Sequence, residues 1–189
     1  MAEAKSKRIM FNNVRINFPK IFKAEDFMGT MQYSVQMLFP KGTDFARLFE
    51  LAALSCAEAQ FPGKGDQMLK RFKGSRQSWP LREDNDGGYF LTAKRKEEKG
   101  APLVLDQRKE VIPADAGVPY AGCWCNVSVD VFCYQKNGGG ITVYLNGVQL
   151  VRRGDPLSGS ATAASCRNDF DVIETPDDDG MVDDGSDLM

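Results

Sequence analysis

The sequence predicts a mainly β protein, a small five-stranded antiparallel barrel with one principal α-helix and a carboxy-terminal segment outside the fold. Three observations carry this expectation. Several runs alternate apolar and polar residues, one stretch repeats apolar residues at helical spacing, and the composition changes sharply after residue 154.

The first strand runs from Arg8 to Phe18. Met10, Val14, Ile16 and Phe18 fall on one face, Asn13, Arg15 and Asn17 on the other, and Pro19, which has no N–H for a sheet ladder, should end it. The second alternates more cleanly: Met31, Tyr33, Val35, Met37 and Phe39 oppose Gln32, Ser34 and Gln36 before Pro40. Thr43 or Asp44 then caps a helix in which Phe45, Leu48, Phe49, Ala52, Cys56 and Ala59 form one face until Pro62-Gly63 stops it.

Residues 64–82 differ in kind. Lys64, Lys70, Arg71, Lys73, Arg76 and Arg82 face a single acid, Asp66, with Phe72 and Trp79 interleaved. A turn at Asp84 to Gly88 leads into a strand from Tyr89 that ends in Lys94-Arg95-Lys96, where Lys94 and Lys96 share a side and Arg95 points opposite.

The strongest signal is a hairpin from Cys123 to Val151. Cys123, Cys125, Val127, Val129, Val131 and Cys133 form one face, with Trp124, Phe132 and Tyr134 on the other. Asn137-Gly138-Gly139-Gly140 makes the turn, since glycine accepts positive φ. The return strand sends Ile141, Val143 and Leu145 inward and Tyr144 outward, then shifts phase at Gly147, a mark of a bulge that curves a sheet toward closure. This inventory fits the oligonucleotide/oligosaccharide-binding (OB) barrel better than a sandwich, which needs more short strands at regular spacing.

The folded domain is therefore expected over residues 1–154, with 155–189 a flexible linker and acidic tail. Ser158 to Ser165 are only Gly, Ala, Ser or Thr, and the residues beyond are too charged to fold, so the tail is expected to be disordered. The formal net charge of −2 hides this division. Residues 1–168 hold all 24 basic residues and 17 of the 26 acids, a balance of +7; residues 169–189 hold the other nine acids and no base, −9. A basic body with an acidic tail points to nucleic acid.

Composition excludes other classes. Without histidine there is no Ser-His-Asp or Cys-His catalysis and no His-containing zinc site. No apolar run is long enough to span a membrane, and MAEAKSKRIMFNNV lacks the apolar core of a secretory signal, so the expected location is the cytoplasm. The cysteines, at 56, 123, 125, 133 and 166, lack C-x-x-C spacing and read as buried free thiols. No metal, cofactor or covalent chemistry is expected. Glu83-Asp84-Asp86, the one tight acidic cluster before the tail, reads as a surface turn rather than a nuclease site.

Single-stranded nucleic acid is held by cations that follow its phosphates and by rings on which bases stack. The candidate DNA-binding residues are accordingly Lys70, Arg71, Phe72, Lys73, Arg76, Trp79, Arg82, Tyr89, Lys94, Arg95, Lys96, Trp124, Phe132, Tyr134 and Tyr144. The tail acids Asp177, Asp178, Asp179, Asp183, Asp184 and Asp187 lack the spacing of a calcium loop. A tethered polyanion resembles nucleic acid and would compete for the same groove. Its end, Asp187-Leu188-Met189, suits a basic, hydrophobic pocket on another protein. The competing reading is an inhibitor whose tail mimics DNA to occupy a DNA-processing enzyme.

The run YAGCWCNVSVDVFCYQKNGGGITVYLNGVQLVRRGDPL, with FPGKGDQMLKRFKGSRQSWPLREDND, KGAPLVLDQ and Asn17-Phe18-Pro19 upstream, resembles a phage family of single-stranded DNA-binding proteins, related to the replication proteins of small-tailed phages. The resemblance covers about residues 8–157. It implies an OB barrel, sequence-independent binding of single strands in phage replication and recombination, and an acidic tail that screens the groove and recruits polymerase, helicase or primase. Self-association along DNA is a further expectation.

Overall fold

The computed structural model describes residues 6–157. Its strands are β1 (Ser6–Phe27), β2 (Thr30–Phe39), β3 (Arg82–Glu83), β4 (Tyr89–Lys96), β5 (Leu103–Leu105), β6 (Trp124–Tyr134) and β7 (Gly140–Arg152), and its α-helices are α1 (Phe45–Gln60) and α2 (Gly65–Lys73). Five strands close into a barrel. β1 pairs with β2 and β6, β2 with β4, β6 with β7, all antiparallel, and a parallel contact between β4 and β7 completes the circuit. This circuit is the OB barrel; β3 and β5 are short additions at its margins.

The alternating runs fold as their patterns require. Tyr33, Val35, Met37 and Phe39 on β2, Leu91 and Ala93 on β4, and every second residue of β6 from Cys125 to Cys133 point into the core. Cys56, Cys123, Cys125 and Cys133 are buried. Burial pushes the Cys125 thiol up to about 12 with help from Cys123, so it behaves as a neutral, small apolar group. The phase shift at Gly147 is a bulge: Ser128 pairs with Gly147 and Val129 with Leu145, leaving Asn146 as the extra residue.

β1 departs from its sequence reading. Ile9 and Phe11, not Met10, face the core, because a register shift between Phe11 and Val14, with Asn13 at φ 51°, reverses the inward parity. A second irregularity around Phe18, at φ 44°, turns that ring out, 62 % exposed, and the strand continues through Pro19 to Phe27. Pro19 is tolerated because the β1–β2 register breaks between Asn17 and Lys20, where no ladder hydrogen bond is required of it.

α1 packs against β1 and β6. Phe45 joins Phe11 and Phe39 in an aromatic cluster with centroids 5.0–6.1 Å apart, and the Cys56 thiol donates to the Val131 carbonyl at 3.2 Å. Leu48 and Ala59, expected on the packed face, point outward; Ala53, Ala57 and Gln60 replace them. The second helix arises inside the basic segment. Leu69 and Phe72 pack inward while Lys70, Arg71 and Lys73 stay in water, which gives α2 a buried stripe beneath a cationic face. Past residue 154 the backbone is still engaged: Arg15 donates to the Asp155 carbonyl at 2.8 Å and the Leu157 amide to that of Ala121 at 3.0 Å.

Candidate nucleic-acid interface

The outer sides of β2, β4 and the start of β7 form the floor of a groove of about 590 Å³. The same alternation that buries Val35, Leu91 and Val143 aims Ser34, Thr92, Lys94 and Thr142 outward. The β1–β2 hairpin supplies one wall with Phe18, Lys20 and Phe27. The segment after α2 supplies the other with Gln77, Pro80 and Arg82, and Phe90 and Tyr134 complete the lining. Lys20, Lys94 and Arg82 are the charged residues in that lining, and it contains no carboxylate.

The cations are held in place by local contacts. The Lys94 ammonium lies 4.3 Å from the centroid of the Phe27 ring, a cation–π pair that joins the β1–β2 hairpin to β4. Lys20 pairs with Glu25 on its own hairpin. Arg82 donates to the Arg76 carbonyl, and partial burial, then the charge of Arg76, lower its pKa from the ordinary guanidinium value. Phe18, Phe27, Phe90 and Tyr134 stand among these cations, so ring faces and positive charge share one surface, the pairing that single-stranded nucleic acid requires.

Not all the residues expected from sequence meet here. Phe72 is 1 % exposed and Trp79 7 %; they pack against Phe61 and Phe49, so neither presents a free face for a base. Trp79 borders the groove only as part of its floor. Lys73 pairs with Glu50 on α1 at 3.0 Å and lies 5.3 Å from the Trp79 ring, leaving Lys64, Lys70, Arg71 and Arg76 as the exposed cations of that segment without an ion pair among the described residues.

Along β4, Lys94 reaches the groove. Arg95, on the opposite side, donates to the carbonyls of Gly100, Lys99 and Leu145 and ties down a loop; Lys96 lies 3.8 Å from Glu98. Tyr89 is at the far end of β4, outside the groove lining, and Phe90 takes the place expected for it. The hairpin aromatics also separate. Tyr134 lines the groove, and Phe132 packs on Tyr144 at 6.2 Å beside it, opposite Lys94 in register. Trp124 lies eight residues back along β6, roughly 27 Å away at the rise of an extended strand. There Arg152 covers its ring at 4.3 Å with Arg15 at 5.9 Å, so it locks the end of the hairpin.

Asp84 accepts the amides of Asp86 and Gly88, which confirms its acidic neighbourhood as a turn. Among the described residues no group of three or more His, Cys, Asp or Glu is placed to hold a metal. The tail residues Asp177, Asp178, Asp179, Asp183, Asp184, Asp187, Leu188 and Met189 lie outside the described residues.

With this geometry in hand, the sequence matches, over residues 7–182, the family described as Enterobacter phage Enc34, ssDNA-binding protein. The chain belongs to the Enc34 family. Protein p50 of Acyrthosiphon pisum secondary endosymbiont phage 1 is 26 % identical to it over 186 residues, 93 % of this chain and 98 % of that protein. Among solved structures, the single-stranded DNA-binding protein of bacteriophage Enc34 in complex with ssDNA superposes with a TM-score of 0.64 at 20 % identity, covering 80 % of this chain and 89 % of that one. The single-stranded DNA-binding protein gp2.5 of bacteriophage T7 gives 0.56 at 14 % identity, with 90 % and 98 % covered. At these identities the structural likeness is one of fold, so the Enc34-family barrel is shared while each groove residue rests on its own geometry here.

The residues that sequence reading missed are Phe18, Lys20, Phe27 and Phe90. Phe18 has the parity of a core residue in the sequence, but the irregularities at Asn13 and Phe18 turn it outward. Phe27 had a usable signal: with Met28 it precedes Gly29 at a tight turn between two strands, and bulky apolar residues at a hairpin tip have no core to enter.

Proposed function

We propose that this chain binds single-stranded DNA without sequence preference, holding the strand in the groove between the β1–β2 hairpin and the segment after α2. The observation that carries the proposal is the groove itself: Lys20, Arg82 and Lys94 set among Phe18, Phe27, Phe90 and Tyr134, with no carboxylate in the lining. Phosphates follow the cations and bases stack on the rings. Since any base has a π-face and the charges read only phosphate, the arrangement carries no sequence code. The exposed Lys70, Arg71 and Arg76 extend the positive field beyond the groove wall.

The finer role is in phage DNA replication and recombination within the host cytoplasm: coating exposed strands, removing their secondary structure, and passing them to a polymerase, helicase or primase recruited by the acidic tail. The charge division supports this, +7 over residues 1–168 and −9 over 169–189. A tethered polyanion competes with DNA at high effective concentration and leaves when a strand displaces it.

Fluorescence anisotropy of labelled single-stranded and duplex DNA, with full-length protein and protein lacking residues 169–189, tests both parts. Preference for the single strand is expected, with a log–log salt slope of about −0.7 per neutralised phosphate, and tighter binding after truncation, most of all at low salt. Equal or weaker binding after truncation overturns competition by the tail. A body indifferent to DNA, with a tail that alone captures an enzyme, points to the DNA-mimic reading instead.

A further inference from the structure

β1 carries two unpartnered apolar features at its opposite ends. Near its start, Met10 lines a cleft of about 310 Å³ on the outer face of β1, β6 and β7, walled by Leu103 and Leu105 of β5 and floored by Val148. Two of the polar side chains there are committed: Asn126 donates to Gln149 at 3.1 Å, and Gln149 to the Asp106 carbonyl at 3.1 Å. Gly147 lets β5 lie close, since a Cβ there would stand 2.9 Å from the Leu103 carbonyl oxygen. Met10 is left 45 % exposed and Leu103 53 %. At the other end of β1 the hairpin tip projects Met28, 90 % exposed, with Met31 beside it.

The charges around the two features are opposite. Lys109 lines the cleft and exposed Arg108 precedes it in the chain, neither with an ion pair among the described residues. At the tip, Asp26 spends one carboxylate oxygen on the Gly29 amide and has no cationic partner among the described residues.

The geometry points to self-association in which the Met28 tip of one molecule enters the Met10–Leu103 cleft of the next, with Asp26 facing Arg108 and Lys109. The two surfaces are different patches of one molecule, so the contact is head-to-tail. Such contacts propagate instead of closing into a two-fold dimer. The cleft belongs to the β1–β6–β7 face and the groove to the β2–β4 face, so an occupied cleft leaves the groove open to DNA. The tip adjoins Phe27 in the groove wall, which sets each contact at an end of the DNA path. The inference rests on the proposed binding of single strands, because a strand is what would align successive molecules.

Full-length protein with Leu103→Lys, and separately Met10→Lys, tests it, since both changes lie away from the groove. Binding is measured on an oligonucleotide short enough for one molecule and on long poly-dT. Wild-type protein is expected to bind poly-dT cooperatively, in clusters. Both variants should hold the short oligonucleotide as wild type does and lose about tenfold in apparent affinity on poly-dT through loss of cooperativity. Asp26→Lys should lower cooperativity likewise, and Lys109→Glu combined with Arg108→Glu should restore it in that background. Cooperativity unchanged in both cleft variants, or no charge rescue, overturns the contact. Failure of wild-type protein to bind the short oligonucleotide would instead refute the DNA-binding reading.

Discussion

The Lys94 ammonium stands 4.3 Å from the centre of the Phe27 ring, bridging β4 and the tip of the β1–β2 hairpin. The contact holds a cation and a ring at one point of the groove, so the two can serve a phosphate and a neighbouring base together. Phe27→Ala should weaken single-stranded DNA binding by roughly 1–3 kcal/mol, the contribution of one stacked base. Lys94→Ala should weaken it too and make the salt slope shallower by about 0.7. Anisotropy titrations across a salt series separate the two, because Phe27→Ala should leave the slope unchanged.

Lys94 and Arg95 are neighbours with opposite duties. Arg95 spends its donors on three backbone carbonyls, so Arg95→Ala should lower folding stability by about 1–3 kcal/mol while short-oligonucleotide affinity stays near wild type. Urea unfolding and anisotropy on the same variant check this. A large loss of affinity with unchanged stability would place Arg95 on the DNA instead.

Phe72 makes the corresponding test in the basic segment. Fully buried beside Phe61, its truncation to Ala should cost roughly 3–5 kcal/mol of stability. Arg71→Ala, on the exposed face of the same helix, should leave the unfolding midpoint unchanged within error and only reduce the salt slope of DNA binding. The reverse pattern would restore Phe72 as a stacking residue.

Acid should loosen the pairing of β1 with β6. Hydrogen bonding from Arg8, at 2.8 and 3.1 Å, holds the Asp130 carboxyl below its ordinary 3.8. A carboxyl with a lowered folded-state pKa adds stability above its unfolded value and loses it as pH falls through the folded one. The Asp130 contribution should therefore be complete near neutrality, begin to fall only as pH drops to about 4, and be gone once pH lies below the lowered folded value. Arg8→Ala should flatten that part of the stability profile, followed by urea midpoints across the acid range.

Much of the barrel was legible because β2, β4 and β6 alternate without interruption, so burial follows parity residue by residue. β1 was not, because positive φ at Asn13 and Phe18 shifts its register twice, and no periodicity announces such a shift beforehand. The candidate site suffered from the same limit. Charge and aromatic content singled out residues 64–82, yet linear adjacency does not say which side of a helix faces water, and α2 turns Phe72 inward while lifting its cations out. Lys94 was found because a strand end with successive cations must aim one of them to each side. Phe27 was not, because its value comes from a partner on another strand.

The circuit of the barrel is completed by a parallel contact in which one pair, Lys94 with Tyr144, is in register. The other strands of the circuit meet along long antiparallel ladders, so this seam is where the wall is least fastened, and it runs under the proposed DNA groove. Local opening starts where few backbone bonds must break. Amide exchange should therefore begin around Lys94 and Tyr144, well before the β6–β7 ladder gives way, and slow there once a strand is bound. A floor that parted a little without unfolding the barrel would let one groove admit purines and pyrimidines alike.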